Sequence, residues 1–154
     1  MTRSDPTLIP QTLLCFNIYA TSLAFTRFYK PLLEPLGLTY PQYLVILSLH
    51  AQDDRTVSQL SAELGLESNT LSPLLKRMAQ AGQVVRARAV QDERMVRVTL
   101  TDAGRTVAAK AAMIPHCIQA CVDIPPDDLM AAATLLGQLR HILETTPAPA
   151  LQGL

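Results

Sequence analysis

The chain has 154 residues, of which 49% are hydrophobic, 17% charged and only 5% aromatic, and its formal net charge is zero. That apolar balance excludes a disordered chain, and the length fits one ordinary domain or one protomer of a small dimer. No stretch approaches the ~18 uninterrupted apolar residues of a membrane helix, and Met1–Pro10 lacks a secretory pattern, so the expectation is a cytoplasmic protein with no membrane partner. Cys15, Cys117 and Cys121 would then stay reduced instead of forming a disulfide framework.

In chain order, a first helix is expected over about Pro10–Tyr29, because Leu14, Ile18, Phe25, Phe28 and Leu32 recur at helical spacing. Pro31 and Pro35 bend or end it, and Gly37 supplies a break. Thr39-Tyr40-Pro41 restarts a helix whose run Tyr43–Leu49 is almost wholly apolar and therefore central. A short helix from Thr56 to Gly65 places Val57, Leu60 and Leu64 on one side. The next helix, Asn69–Ala81, carries Leu71, Leu74, Leu75 and Met78 at i, i+3, i+4, i+7, with Gly82 as its stop. Its start is set at Asn69 or Thr70 so that Pro73 stays near the first turn.

The period then changes from 3.6 to 2. Val85, Ala87 and Ala89 alternate with Val84, Arg86 and Arg88, and Val96, Val98 and Leu100 alternate with Met95, Arg97 and Thr99. An antiparallel hairpin with one apolar and one basic face is expected, its tip formed by Gln91-Asp92-Glu93-Arg94. Thr101 caps a helix over about Ala103–Val122, and a last one spans Pro126–Thr145. The fold expected is mainly α with a small β-hairpin wing. It is a winged helix-turn-helix over residues 41–101, with helices of residues 1–40 and 102–145 forming a dimerisation domain and a flexible tail at 146–154. The apolar excess towards both ends is what suggests burial against a second copy.

The charge is neutral in sum but not in distribution. Between Lys76 and Lys110 there are eight basic residues against three acidic ones, the footprint of a dedicated contact surface. A helix presenting short polar side chains at its N-terminus and cations further along suits the major groove, and a basic hairpin suits the minor groove. The expected DNA-binding residues are Ser68, Asn69, Thr70, Ser72, Lys76, Arg77, Arg86, Arg88 and Arg94. Asp92 and Glu93 repel phosphate and would instead orient neighbouring arginines. Two-fold symmetry would place two such helices roughly 34 Å apart on an inverted-repeat operator in double-stranded DNA.

Leu60-Ser61-Ala62-Glu63-Leu64, Leu71-Ser72-Pro73-Leu74-Leu75-Lys76-Arg77-Met78, Asp92-Glu93-Arg94 and Leu100-Thr101-Asp102-Ala103-Gly104-Arg105 resemble the MarR family of bacterial winged-helix regulators. Leu14-Cys15-Phe16 with Tyr19, Tyr29-Lys30-Pro31-Leu32-Leu33 and Leu36-Gly37-Leu38-Thr39-Tyr40-Pro41-Gln42-Tyr43 resemble its organic hydroperoxide resistance regulators. The resemblance runs from about Leu13 to the last helix. It implies a homodimeric repressor that senses organic hydroperoxides through Cys15 and then leaves its operator. It also implies that Tyr29 and Tyr40 of the partner subunit, with Tyr19 nearby, stabilise the Cys15 thiolate, since hydrogen bonds to a charged form favour it. A sulfenic acid at Cys15 would condense with a second thiol. Some members of the class use a cysteine at the position of Cys121 or Cys117 on the opposite subunit, with Cys121 the first choice here, and others use a small external thiol.

Three other readings compete. Cys15 would be an ordinary core residue in a regulator released by a non-covalent phenolic ligand. It would be the nucleophile of a thiol peroxidase, but no His, Arg or Thr constellation surrounds it, so no enzyme is expected. A purely structural dimerisation module leaves the basic block unexplained. His116, Cys117 and Cys121 lack a fourth ligand, and His50 and His141 add no useful spacing, so no metal and no cofactor is expected.

Overall fold

The computed structural model describes residues 9–88 and 95–148 of the chain. Pro10–Thr12 forms a single 3₁₀ turn, and helix α1 then runs Leu14–Leu33. It starts four residues later than the apolar stripe suggested, and it continues through Pro31. That proline lies in the last turn, and the helix is pinned just beyond it by Leu33, its one buried residue. A second 3₁₀ turn, Glu34–Leu36, leads to Gly37, whose φ of +65° suits glycine. The Thr39 N–H donates to Gln42 Oε1 at 2.8 Å and opens α2, Tyr40–Ala51. As its composition predicted, α2 is central: Tyr43, Val45, Ile46, Ser48 and Leu49 are buried.

A two-residue strand, β1 at Arg55–Thr56, follows. It is too short to carry a period and was not expected. Thr56 also caps α3, Val57–Leu64, by accepting the Gln59 N–H at 3.1 Å while its own N–H donates to Gln59 Oε1 at 2.8 Å. Helix α4 spans Ser68–Gln80. It begins one residue before the earlier of the expected starts, so Pro73 is its sixth residue and not part of the first turn. Asn69 and Pro73 are both exposed, so the carbonyl left without its helix partner is open to solvent, which is how the helix tolerates the proline.

Strands β2, Val84–Arg88, and β3, Val96–Leu100, pair antiparallel, and with β1 they form a sheet of order β1-β3-β2. The hairpin forms as predicted, but β2 has the opposite phase. The register sets Val84 opposite Leu100, Arg86 opposite Val98 and Arg88 opposite Val96. Residues directly opposite share a face, so Arg86 and Arg88 lie on the side of buried Val84, Val98 and Leu100, while Val85 and Ala87 are exposed. Alternation points to the other phase, because Arg86 and Arg88 share their face with Val84, and it is the pairing with β3 that turns that face inward. The tip, including Asp92, Glu93 and Arg94, lies outside the described residues, as does the chain from residue 149 onward.

Thr101 caps α5, Asp102–Ala111, by accepting the Gly104 N–H at 2.9 Å. The single helix expected over Ala103–Val122 is two, because α6 is a separate segment, Ile114–Cys121. Pro115 has no N–H to give Ala111, and its ring disfavours helical geometry just before it, so the break falls at Ala112–Met113. Helix α7 spans Pro126–Thr145. The chain divides into two units, residues 1–114 and 115–154. The core of the first is built from α2, α3, α4, the sheet and α5: Val45, Ile46, Leu49, Leu60, Leu71, Leu75, Met78 and Val98 are fully buried. In the second, α7 has no buried residue.

Candidate nucleic-acid interface and thiol site

Helix α4 turns Leu71, Leu74, Leu75 and Met78 into the core, and this fixes what it offers outward. Ser68, Asn69 and Thr70 form its exposed first turn, Ser72 is half-buried, and Lys76 and Arg77 are exposed one to two turns further on. Beside it, Thr56, Val57, Ser58, Ser72, Arg86, Met95 and Val96 line a polar recess of about 240 Å³. Arg86 reaches this recess because of the inverted phase of β2. Its Nε is buried without a hydrogen-bond partner among the described residues. Arg88 is exposed.

Two basic residues of the hairpin block are committed to the protein. Arg97 grips Asp54 through Nε–Oδ1 at 2.6 Å and Nη2–Oδ2 at 2.7 Å. Arg105 pairs with Asp53 at 2.7 Å, and Asp53 Oδ1 also accepts the Leu100 N–H at 3.0 Å. Asp53 and Asp54 therefore tie the root of the wing to the turn before β1. Arg97 holds the Asp54 carboxyl below its ordinary range through that hydrogen bond. Sequence reading missed this turn because two adjacent aspartates after a helix look like an ordinary solvated loop. A second network was also missed: Glu63 Oε2 accepts from Ser48 Oγ at 2.8 Å and pairs with Arg55 Nη2 at 2.8 Å, joining α2, α3 and β1.

Cys15 is exposed and stands second in α1, because the helix begins at Leu14. Leu13 supplies no side-chain cap, so the first-turn N–H groups point toward a region that favours negative charge. Tyr19 lies one turn further along and is 62% exposed. Around them Leu14, Phe16, Ile18, Leu23, Phe25 and Phe28 are exposed as well.

Tyr29 and Tyr40 come together where α1 meets α2, with ring centroids 5.0 Å apart in an edge-to-face arrangement. Tyr43 completes the cluster at 5.6 Å from Tyr29 and 6.0 Å from Tyr40. Burial pushes the Tyr29 and Tyr40 hydroxyls above their ordinary value, with Tyr40 adding to the shift of Tyr29. Burial, then Tyr29 and Tyr40, push Tyr43 up to about 12. All three stay protonated near neutrality, so each keeps an O–H available to donate.

Cys15 and Tyr29 are fourteen residues apart on one continuous helix, which is roughly 21 Å along its axis. The chain does not bring its own thiol to its own tyrosine pair. Cys117 and Cys121 are exposed on α6. Among the described residues no group of three His, Cys, Asp or Glu side chains could hold a metal ion, and no single helix is long and apolar enough to cross a membrane.

Residues 27–111 match the family model for the transcriptional regulators SarA/Rot. The chain is 41% identical over 141 residues to the HTH-type transcriptional regulator TtmR of Methylorubrum extorquens, covering 92% of this chain and 72% of that protein. It is 42% identical over 132 residues to the organic hydroperoxide resistance transcriptional regulator of Bacillus subtilis, covering 86% and 88%. Among solved structures, reduced AbfR bound to DNA superposes with a TM-score of 0.74 at 34% identity, covering 85% of this chain and 90% of that one. AbfR, from Staphylococcus epidermidis, is also known overoxidized on DNA and in a disulfide-formed state. The chain belongs to the MarR family of winged-helix, DNA-binding transcriptional regulators, in the class of the organic hydroperoxide resistance regulators.

Proposed function

We propose that the protein is a homodimeric, cytoplasmic repressor that leaves an inverted-repeat operator when an organic hydroperoxide oxidises Cys15. In this reading α4 enters the major groove, with Ser68, Asn69, Thr70 and Ser72 near base edges and Lys76 and Arg77 at phosphates. Arg86 meets the backbone at the root of the wing, and Arg88 and Arg94 follow the minor groove. Residues 1–40 and 102–145 supply the dimer interface, which explains the exposed apolar residues of α1 and α7.

The observation that carries the reading is the separation of Cys15 from the tyrosine pair along α1. A thiol at one end of that helix and two phenol donors at the other form a complete site only between two copies. The Cys15 thiolate attacks the terminal oxygen of the hydroperoxide, the O–O bond breaks, and the organic product leaves as an alcohol after taking up a proton. The sulfur becomes a sulfenic acid. A second thiol, from Cys121 or Cys117 of the other subunit or from a small molecule, then displaces water to form a disulfide. The disulfide-formed and DNA-bound states of AbfR support such a cycle.

Anisotropy of a labelled upstream DNA fragment at fixed salt tests this. Release of the wild type by cumene hydroperoxide, with Cys15→Ser staying bound, is expected. If Cys15→Ser is released as well, the sensor assignment is wrong. The Cys117/Cys121 double serine variant shows whether an internal thiol resolves the sulfenic acid. A second reading, release by a non-covalent phenolic ligand, is favoured by a cleft of about 460 Å³ between α1 and α2 lined by Leu33, Leu38 and Tyr40. It predicts release that persists without any cysteine.

A further inference from the structure

Tyr43 has no place in the site as the resemblance implies it, yet the geometry puts it at the centre. It is 2% exposed, the most buried of the three rings, and it comes from the same helix as Tyr40, one turn on. Tyr29 and Tyr40 are only half-buried and come from different helices, so nothing in either helix alone fixes one ring against the other. Tyr43 touches both. Its ring lies tilted at 50° to Tyr29 and 41° to Tyr40, while those two meet at 79°. Offset and edge-to-face arrangements are the ones aromatic quadrupoles prefer. Three rings at mutual distances of 5.0, 5.6 and 6.0 Å form a closed triangle, so each is packed against the other two.

We infer that Tyr43 is a positioning residue for Cys15 oxidation, acting through Tyr29 and Tyr40 by holding both phenols where the Cys15 thiolate of a second copy is received. The inference rests on the proposed peroxide sensing. It adds that the donor pair is set from inside the DNA-binding core, since Tyr43 is flanked along α2 by buried Val45, Ile46 and Leu49. The rings do no redox chemistry themselves: the electrons pass from the sulfur to the O–O bond, and the phenols remain protonated donors. Without the backing ring, Tyr29 and Tyr40 regain rotamer freedom, and a hydrogen bond to a charged acceptor is lost for much of the time.

The test uses the full chain with Tyr43→Leu and Tyr43→Phe, adding Tyr43→Met as a space-filling variant should leucine not fold. Three quantities are read: the rate of Cys15 sulfenylation by cumene hydroperoxide, trapped with a dimedone probe, the affinity of the reduced protein for DNA, and the melting temperature. Loss of the ring is expected to slow sulfenylation about tenfold, the scale of one hydrogen bond to a charged group. DNA affinity of the reduced form should stay within about twofold, below the noise of a single contact. Tyr43→Phe, which keeps the ring, should oxidise at the wild-type rate. Wild-type rates in the leucine or methionine variant would overturn the inference. An equal slowing in Tyr43→Phe would overturn it too, because the hydroxyl and not the ring would then be acting. A wild-type Cys15 that ignores peroxide removes the sensing reading itself, and this inference with it.

Discussion

The guanidinium of Arg97 holds Asp54 at three points: both carboxylate oxygens, at 2.6 and 2.7 Å, and the Asp54 carbonyl, at 2.7 Å. Asp54 is the one non-glycine residue with positive φ among the described residues, at +59°. Aspartate is one of the few non-glycine residues that enter the left-handed region, and it does so at some conformational cost. The fork geometry of arginine is suited to hold it there, and lysine would not match it.

The pairing has a pH signature. The Arg97 hydrogen bond lowers the Asp54 carboxyl below its unfolded value. Its contribution to stability is therefore complete above the ordinary carboxylate range and lost as pH falls through the lower folded value. In Arg97→Gln, an NMR titration of the Asp54 side-chain carbon should move up to the ordinary range. An unchanged midpoint would mean that Arg97 is not what sets it.

Gly104 faces an obstacle no other residue could share. A Cβ built there would lie 1.9 Å from the Gln83 carbonyl oxygen and 3.3 Å from a Leu100 methyl. That carbonyl already accepts the Thr101 N–H at 3.1 Å, so it is not free to retreat. Gly104→Ala should destabilise the protein by on the order of 1–3 kcal/mol, the usual scale of forced overpacking. Equilibrium urea unfolding measures this, and a neutral result would mean that α5 shifts away at no cost.

Arg86 should act at phosphates and not at bases. Truncation to Ala is expected to weaken binding to cognate and scrambled DNA alike and to reduce the slope of log K against log salt by ~1. Anisotropy titrations over a range of salt check it. Selective loss of the cognate complex would instead make Arg86 a base reader.

Glu63 serves two donors at once, so its removal and that of Ser48 should not add. Glu63→Ala is expected to cost on the order of 1 kcal/mol, because its carboxylate is partly exposed and solvent moderates the loss. A double-mutant cycle with Ser48→Ala should show coupling of about 0.5 kcal/mol or more. Strict additivity would deny that the three groups form one network.

Long periodic segments were legible from sequence alone. The stripe of α4 and the glycine at its end, the helix starts at Thr39 and Thr56, the cap at Thr101, and the central position of α2 all follow from local chemistry that tertiary context did not overrule. The misses have different causes. Pro115 falls within an otherwise continuous apolar helical pattern, although its missing N–H breaks that helix. The phase of β2 is settled by its pairing with β3, which overrides the alternation of its own residues. Of the site, the cations and the thiol could be found by residue type. What Arg97, Arg105 and Tyr43 do could not, because Asp54, Asp53 and Tyr29 lie forty-three, fifty-two and fourteen residues from them in the chain.

Helix α7 presents Met130, Leu135, Leu136, Ile142 and Leu143 without burying any of its twenty residues in its own chain. Ordering that many residues costs on the order of 1 kcal/mol each, and apolar burial in the proposed dimer would offset it. In the proposed dimer the folded state of this segment is subject to mass action, as for any structure completed by association. Diluting the protein should lower the melting temperature of α7 itself, and not only the occupancy of its DNA.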